Sequence, residues 1–80
     1  MRKELIKQVN LYLSGGQDLN KLENWTIKYT KIIIDAQDEI ARKILMEIGS
    51  GIEELNSAII SEVQLRKTWR RMLNKLSFGA

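Results

Sequence analysis

Apolar positions along the chain recur every three to four residues in four segments, which is the spacing of amphipathic helices. The first segment spans residues 2 to 13, and Ser14-Gly15-Gly16 ends it, because glycine adopts the left-handed conformation at a helix C-terminus without steric cost. Asp18 is the predicted N-cap of the next helix, since its carboxylate can accept hydrogen bonds from unpaired backbone N–H groups. The second helix then begins at Leu19 and runs into the Ile32-Ile33-Ile34 triplet.

The end of the second helix is ambiguous in the sequence. Apolar positions from Leu22 to Ile44 stay in phase across Asp35, so the pattern also fits one helix over residues 19 to 57, about 58 Å long at 1.5 Å per residue. Asp35 can instead be the N-cap of a third helix, with Asp38 in the favoured first turn. Since the rest of an 80-residue monomer is too short to bury the apolar face of so long a helix, we expect a break or sharp bend near Asp35. The alternative is a long central helix in a dimer.

The third helix carries one apolar face and two internal glycines. The face comprises Ile40, Ala41, Ile44, Leu45, Ile48, Ile52, Leu55 and Ile59. Glycine costs about 0.5–1 kcal/mol relative to alanine inside a helix. Gly49 and Gly51 therefore indicate a bend, a close approach of another helix at Gly51, or simply a weak point.

The last helix has the clearest start signal in the chain. Ser61-Glu62-Val63-Gln64 is a capping box, and Ile60 and Leu65 have the spacing of a hydrophobic staple. Glu62 precedes Arg66 by four residues, the order that stabilises a helix. The predicted core stripe of this helix is Leu65, Trp69, Leu73 and Leu76, with Met72 at its edge.

Together these elements predict an all-α fold, namely a compact four-helix array of two helical hairpins. A single helical domain covers residues 1–80, with short loops near residues 14–17, 35 and 57–61. We expect more than about 65% helix and no strand.

The composition narrows the available chemistry. The chain has no cysteine and no histidine, which excludes disulfides and removes the commonest general base and metal ligand. Asp38 and Glu39 precede Arg42 and Lys43 by four residues, the spacing of surface ion pairs rather than of catalytic carboxylates. The segment Ser14-Gly15-Gly16-Gln17 lacks the lysine and the preceding strand of a phosphate loop. We expect no enzymatic activity, no metal and no cofactor.

The aromatic residues are predicted to serve the core. Trp25 and Trp69 lie on apolar helical faces and are expected to be core anchors rather than stacking platforms. Tyr12 and Tyr29 are expected to be half-buried, with hydroxyls that reach solvent.

A cytoplasmic location without membrane contact is the expectation from the hydropathy pattern. The apolar stretch after Met1-Arg2-Lys3 is interrupted by Lys7, Gln8 and Asn10, so it does not form the apolar region of a signal peptide. No apolar run reaches the roughly 18 residues that a membrane span needs.

Five basic residues spread over the face of the last helix opposite its core stripe. They are Arg66, Lys67, Arg70, Arg71 and Lys75. Three pairs of them are like charges four residues apart, each destabilising by about 0.2–0.5 kcal/mol, which indicates a counter-charge elsewhere. Glu53 and Glu54 on the preceding helix are an internal source, and an acidic surface or a phosphate is an external one. We predict that the five residues form the partner-contacting surface; an ordinary solvated face is the alternative.

The third and last helices also resemble a helix-turn-helix in outline. The connecting turn lacks the tight glycine turn of that motif. Among Asn and Gln residues, only Asn74 lies on the exposed face of the last helix. Binding to nucleic acid is therefore not favoured.

Four motifs follow one another in a recognisable order: Tyr12-Leu13-Ser14-Gly15, Leu19 to Trp25, Asp35 to Glu39, and Ser61 to Arg66. This order resembles that of small bacterial all-helical proteins of unknown function, which implies a shared fold and no particular activity. The opening half is also similar to colicin-D-type immunity proteins, helical inhibitors of a tRNA-cleaving toxin. Such inhibitors typically bind a basic nuclease through acidic residues, whereas this chain has a formal net charge of +3.

The leading hypothesis is a small non-enzymatic helical interaction module that binds another macromolecule. A protein partner or self-association is expected. The alternatives are a toxin-neutralising immunity protein and a small nucleic-acid-binding regulator.

Overall fold

Four helices make up 83% of the residues that the computed structural model describes, which are residues 2–78. They are α1 (Arg2–Leu13), α2 (Leu19–Asp35), α3 (Glu39–Asn56) and α4 (Glu62–Phe78), and no strand occurs within this range. The predicted all-α array of two hairpins, α1–α2 and α3–α4, is confirmed.

The helices α1 and α3 are central. Each packs against all three other helices, whereas α2 and α4 flank them without packing directly on one another in the described range. The fully buried side chains of the core come from all four helices: Leu5, Val9, Tyr12, Leu22, Ile33, Ile44, Ile48, Leu65 and Trp69. One face of α4 is thus fixed against α1 and α3, and its opposite face points outward.

The end of α1 is the predicted glycine stop. The N–H of Gly15 donates to the carbonyl of Tyr12 (3.1 Å), and that of Gly16 donates to the carbonyl of Leu11 (2.7 Å). Gly15 has a φ of +86°, which glycine adopts without the strain that a Cβ would bring. Asp18 then caps α2, as predicted, by accepting the N–H of Lys21 at 2.8 Å.

A real break separates α2 from α3, which confirms the predicted boundary and rules out one continuous rod over residues 19 to 57. The predicted role of Asp35 as N-cap is wrong, because Asp35 is the last residue of α2. Gln37 takes a left-handed φ of 55° and turns the chain. The cap therefore comes later, at Asp38, which accepts the N–H groups of Ile40 and Ala41 at 3.0 and 3.2 Å.

The end of α3 has no glycine to mark it in the sequence. Ala58 takes a left-handed φ of 60°, and its N–H donates to the carbonyl of Leu55, while the N–H of Ile59 donates to that of Glu54. This is the same paired arrangement that ends α1. The prediction that Ile59 extends the apolar face of α3 is wrong: the turn at Ala58 leaves its side chain 69% exposed.

Gly51 is the point of close approach between α3 and α4. A Cβ at this position would lie 2.6 Å from Cδ1 of Leu65 and 3.0 Å from Nε1 of Trp69. A Cβ at Gly49, by contrast, would meet no described atom within 4 Å beyond its chain neighbours and its own helix backbone. Of the interpretations of the two glycines, close approach of a neighbouring helix therefore holds at Gly51, and residues 2–78 give no packing reason for Gly49.

Candidate functional site

The predicted capping box fixes the start of α4. The N–H of Ser61 donates to Oε1 of Gln64 (3.1 Å), and the N–H of Gln64 donates to Oγ of Ser61 (3.2 Å). Ile60 packs against the core just before this cap, and Leu65 is buried just after it. Reciprocal bonds of this kind satisfy N–H groups that a helix start leaves unpaired. They also set the register of α4, and thereby the direction of each basic side chain.

Trp69 holds α4 in the core, as predicted. Its side chain is fully buried, and its ring lies edge-on to that of Tyr12, with centroids 5.6 Å apart. The indole N–H faces Gly51 and has no hydrogen-bond partner among the described residues. Trp25 packs against the edge of the core while only half-buried, and its ring stacks obliquely on Tyr29 at 4.7 Å.

The predictions for Tyr12 and for Glu62 are both wrong, and for one reason. Tyr12 is 1% exposed, and its hydroxyl donates to Oε2 of Glu62 at 2.8 Å instead of reaching solvent. Glu62 accordingly forms no ion pair with Arg66 within the described chain. Burial raises the pKa of the Tyr12 phenol, and the hydrogen bond to the Glu62 carboxylate raises it further, whereas the nearby guanidinium of Arg66 opposes the shift. Tyr12 therefore acts as a neutral donor.

Two of the five predicted partner-contacting residues form hydrogen bonds within the chain, at the protein surface. The guanidinium groups of Arg66 and Arg70 donate to the backbone carbonyl of Leu13, at 3.5 and 3.2 Å. Arg66 also lies over the ring of Tyr12, 4.6 Å from its centroid. The last carbonyls of a helix lack partners within that helix and carry partial negative charge. Arg66 and Arg70 thus supply to the end of α1 the positive charge that α1 itself lacks in its last turn.

The other three predicted residues point away from the core. Lys67, Arg71 and Lys75 are all exposed, and none of them forms an ion pair with a described carboxylate. The structure therefore divides the five residues into an inner edge, Arg66 and Arg70, and an outward row, which we define as Lys67, Arg71 and Lys75.

The internal counter-charge expected from Glu53 and Glu54 is not found. Both residues are exposed, and neither forms an ion pair in the part of the chain that the structure covers. The chain reverses direction between α3 and α4, so the end of α3 lies beside the start of α4, as the contact of Gly51 with Leu65 shows. Arg71 and Lys75 belong to the far half of α4 and are remote from that end of α3.

A groove runs between α3 and α4 beside the outward row. Its volume is about 580 Å³, and it is lined by Lys43, Met46, Glu47, Ser50, Thr68, Arg71, Met72, Lys75 and Leu76. The lining positions on each helix follow the spacing i, i+3, i+4 and i+7, with i+8 added on α4, which forms one stripe on a helix surface. The α3 side was missed in the sequence, although Met46, an apolar residue off the core stripe and 67% exposed, is the signal that points to it.

An ion pair that local spacing does not predict joins the start of α1 to the start of α3. Nε and Nη2 of Arg2 donate to the two carboxylate oxygens of Asp38 at 2.8 and 2.9 Å. The hydrogen bond from Arg2 lowers the pKa of the Asp38 carboxyl, and the pKa of Arg2 is raised in return. The predicted pairing of Asp38 with Arg42 is therefore wrong, and Arg42 lies instead 3.9 Å from Glu39.

Comparison of the chain with protein-family models, with curated proteins and with solved structures finds no match. The resemblances to small bacterial helical proteins and to colicin-D-type immunity proteins stay predictions. Among the helices described above, none is both long and apolar enough to cross a membrane. Nowhere in residues 2–78 do three or more Asp or Glu side chains converge in an arrangement suited to a metal ion.

Proposed function

We propose that this chain is a non-enzymatic helical interaction module that binds another protein through the outward face of α4. One observation carries the proposal: the outward row of Lys67, Arg71 and Lys75 is exposed and forms no ion pair with any described carboxylate. Arg66 and Arg70, by contrast, are bound to the end of α1. The proposed interface is thus narrower than the five basic residues that the sequence singles out.

The arrangement of the outward row is unfavourable to α4 taken by itself. Lys67 and Arg71, and Arg71 and Lys75, are like charges at i, i+4, and each such pair destabilises a helix by about 0.2–0.5 kcal/mol. Lys75 lies in the last turn, where a cation is favourable to the helix dipole. Lys67 and Arg71 lie further from that end and gain little from the dipole, since its effect falls off within one turn. An acidic surface on a partner supplies the missing compensation.

The surroundings of the row favour a protein over a nucleic acid. Surfaces that bind single strands combine cations with aromatic side chains on which bases stack, and the aromatic side chain of Trp69 on α4 is buried. Beside the row lie Met46, Met72 and Leu76, which are apolar and adaptable and suit contact with protein side chains. An immunity protein that binds a basic nuclease would use an acidic surface, so the cationic row does not support that alternative.

Site-specific photo-crosslinking tests this proposal. A benzophenone amino acid is placed at Asn74, which is exposed on α4, and in a control at Asn20, which is exposed on α2. The probe is the lysate of the source cells, with and without nuclease. We expect Asn74, but not Asn20, to yield a nuclease-resistant protein adduct.

A charge reversal completes the test. Lys67→Glu with Arg71→Glu is expected to abolish the adduct, and Lys21→Glu with Lys31→Glu, the same charge change on exposed positions of α2, is expected to leave it unchanged. An adduct that forms equally with both double variants, or none at all, contradicts the proposal. An adduct that nuclease removes supports the nucleic-acid alternative instead.

A further inference from the structure

The groove between α3 and α4 has an apolar floor and a cationic rim. Met46, Met72 and Leu76 provide the apolar surface, and Lys43, Arg71 and Lys75 provide the positive charge. Glu47 is the one carboxylate among the lining residues, so the formal charge of the lining is positive. A complementary ligand therefore needs an apolar stripe flanked by carboxylates.

The dimensions of the groove set the length of that ligand. The lining positions on α3 span residues 43 to 50 and those on α4 span residues 68 to 76, which is about 10–12 Å at 1.5 Å per residue. That is two turns of helix. Each wall presents one helical stripe, which is the geometry that receives the apolar face of a third helix.

We infer that this groove binds an acidic amphipathic helix of a partner protein, about two turns of which lie between Met46 and Met72 with carboxylates facing Arg71 and Lys75. The inference rests on the proposed function and names the chemistry of its partner. Methionine suits such a groove because its unbranched, polarizable side chain adapts to the ligand's shape. Met46 is 67% exposed and Met72 is half-buried, so both are available for contact.

Charge argues against a second copy of this chain as the occupant. A two-fold symmetric dimer apposes the same surface of both copies. Each copy would bring Lys43, Arg71 and Lys75 to the contact, and like charges across an interface disfavour it. The carboxylates of an acidic helix are instead attracted to these three basic side chains.

Selection from an unbiased peptide library tests the inference. The intact protein is used to select from a yeast-displayed library of helical 16-residue peptides whose net charge ranges from negative to positive. Enriched peptides are expected to be acidic and to carry apolar residues at i, i+3, i+4 and i+7. Enrichment of neutral or basic peptides, or no enrichment, overturns the inference.

Two matched pairs of variants locate the binding. Arg71→Glu with Lys75→Glu is expected to lower the affinity for the selected peptides about tenfold or more. Lys21→Glu with Lys31→Glu is expected to lower it less than about twofold. Met46→Ser is expected to lower this affinity about fivefold, because apolar contact is lost. The control Ile27→Ser is expected to leave the affinity unchanged, since Ile27 lies on α2 with the same 67% exposure. Equal effects within either pair overturn the inference, and so does a dimer in sedimentation that Met46→Ser dissociates.

The failure of this inference is distinguishable from that of the proposed function. If the library yields no acidic helical binder while Asn74 still crosslinks a protein that depends on Lys67 and Arg71, the groove inference is wrong and the proposed function stands. If both experiments fail, both are wrong.

Discussion

Arg2 and Asp38 connect the first turn of α1 to the N-cap of α3 through two side-chain hydrogen bonds of 2.8 and 2.9 Å. The same carboxylate accepts the backbone N–H groups of Ile40 and Ala41. One ionised side chain thus both starts a helix and holds together two helices that are not consecutive in the chain.

Acid should destabilise the protein in part through Asp38. Its pKa is lowered by the hydrogen bond from Arg2, so its contribution to the free energy of unfolding is complete above the ordinary pKa of about 4 and is lost as the pH falls through the lowered value. Asp38→Asn keeps a capping side chain but removes the ion pair. We expect chemical denaturation between pH 6 and pH 2 to show a smaller loss of stability for this variant than for the wild type. Arg2→Gln should behave similarly, and identical pH slopes in all three proteins would contradict the prediction.

High pH should destabilise the protein in part through Tyr12. Its raised pKa means that the unfolded chain ionises first, so the free energy of unfolding falls as the pH rises above about 10. Tyr12→Phe retains the ring against Trp69 and loses the hydrogen bond to Glu62, at a cost of about 0.5–1.5 kcal/mol at neutral pH. Denaturation at pH 7 and pH 10.5 should show a smaller alkaline loss for this variant. Tyr29→Phe is the control, and an equal reduction there would refute the assignment to Tyr12.

The two glycines of α3 should respond oppositely to alanine. Gly51→Ala places a methyl group against Leu65 and Trp69 and is expected to cost about 1–3 kcal/mol, as overpacking does in other cores. The methyl group of Gly49→Ala meets no neighbouring helix within 4 Å among the described residues, and the variant should gain about 0.5–1 kcal/mol because alanine is the better helix former. Urea denaturation of the two variants gives the answer directly; a gain at both positions would mean that the helices do not approach closely at Gly51.

Replacement of Ala58 by glycine should stabilise the protein. It holds a left-handed φ of 60°, which costs an L-residue about 1–2 kcal/mol. Ala58→Gly relieves that strain but makes the unfolded chain more flexible, so the expected net gain is about 0.5–1 kcal/mol. Ala36→Gly is the matched control, because Ala36 ends α2 in a right-handed conformation and should only lose stability. Thermal unfolding that ranks the two variants the other way would disprove the assigned conformations.

Signals confined to one or two helical turns were predictable from the sequence. The stop at Gly15, the cap at Asp18 and the box at Ser61 each involve residues within five positions of one another, and their geometry depends on the local backbone alone. The turns at Gln37 and Ala58 were not predictable in detail, because neither carries the glycine that normally marks a left-handed residue.

Hydrogen bonds between side chains far apart in the sequence could not be predicted. The i, i+4 rule assigns Glu62 to Arg66 and Asp38 to Arg42, but packing presents each carboxylate with a competing donor from α1. For the candidate site, the exposure of the outward row follows from the core stripe of α4. The hydrogen bonds of Arg66 and Arg70 to the carbonyl of Leu13 could not be predicted in this way, because that carbonyl lies 53 and 57 residues away in the chain.

Each hairpin carries one tryptophan, and this gives the molecule two separate optical reporters. Trp25 belongs to α1–α2 and Trp69 to α3–α4, and Trp25→Phe leaves Trp69 as the single tryptophan, which can be excited selectively over the two tyrosines. The ring of Trp69 lies against Tyr12 of the other hairpin, so its fluorescence senses whether the two halves are docked. Cooperative unfolding requires both signals to change at one denaturant concentration. Separation of the two transitions would reveal a half-folded state in which one hairpin survives the other.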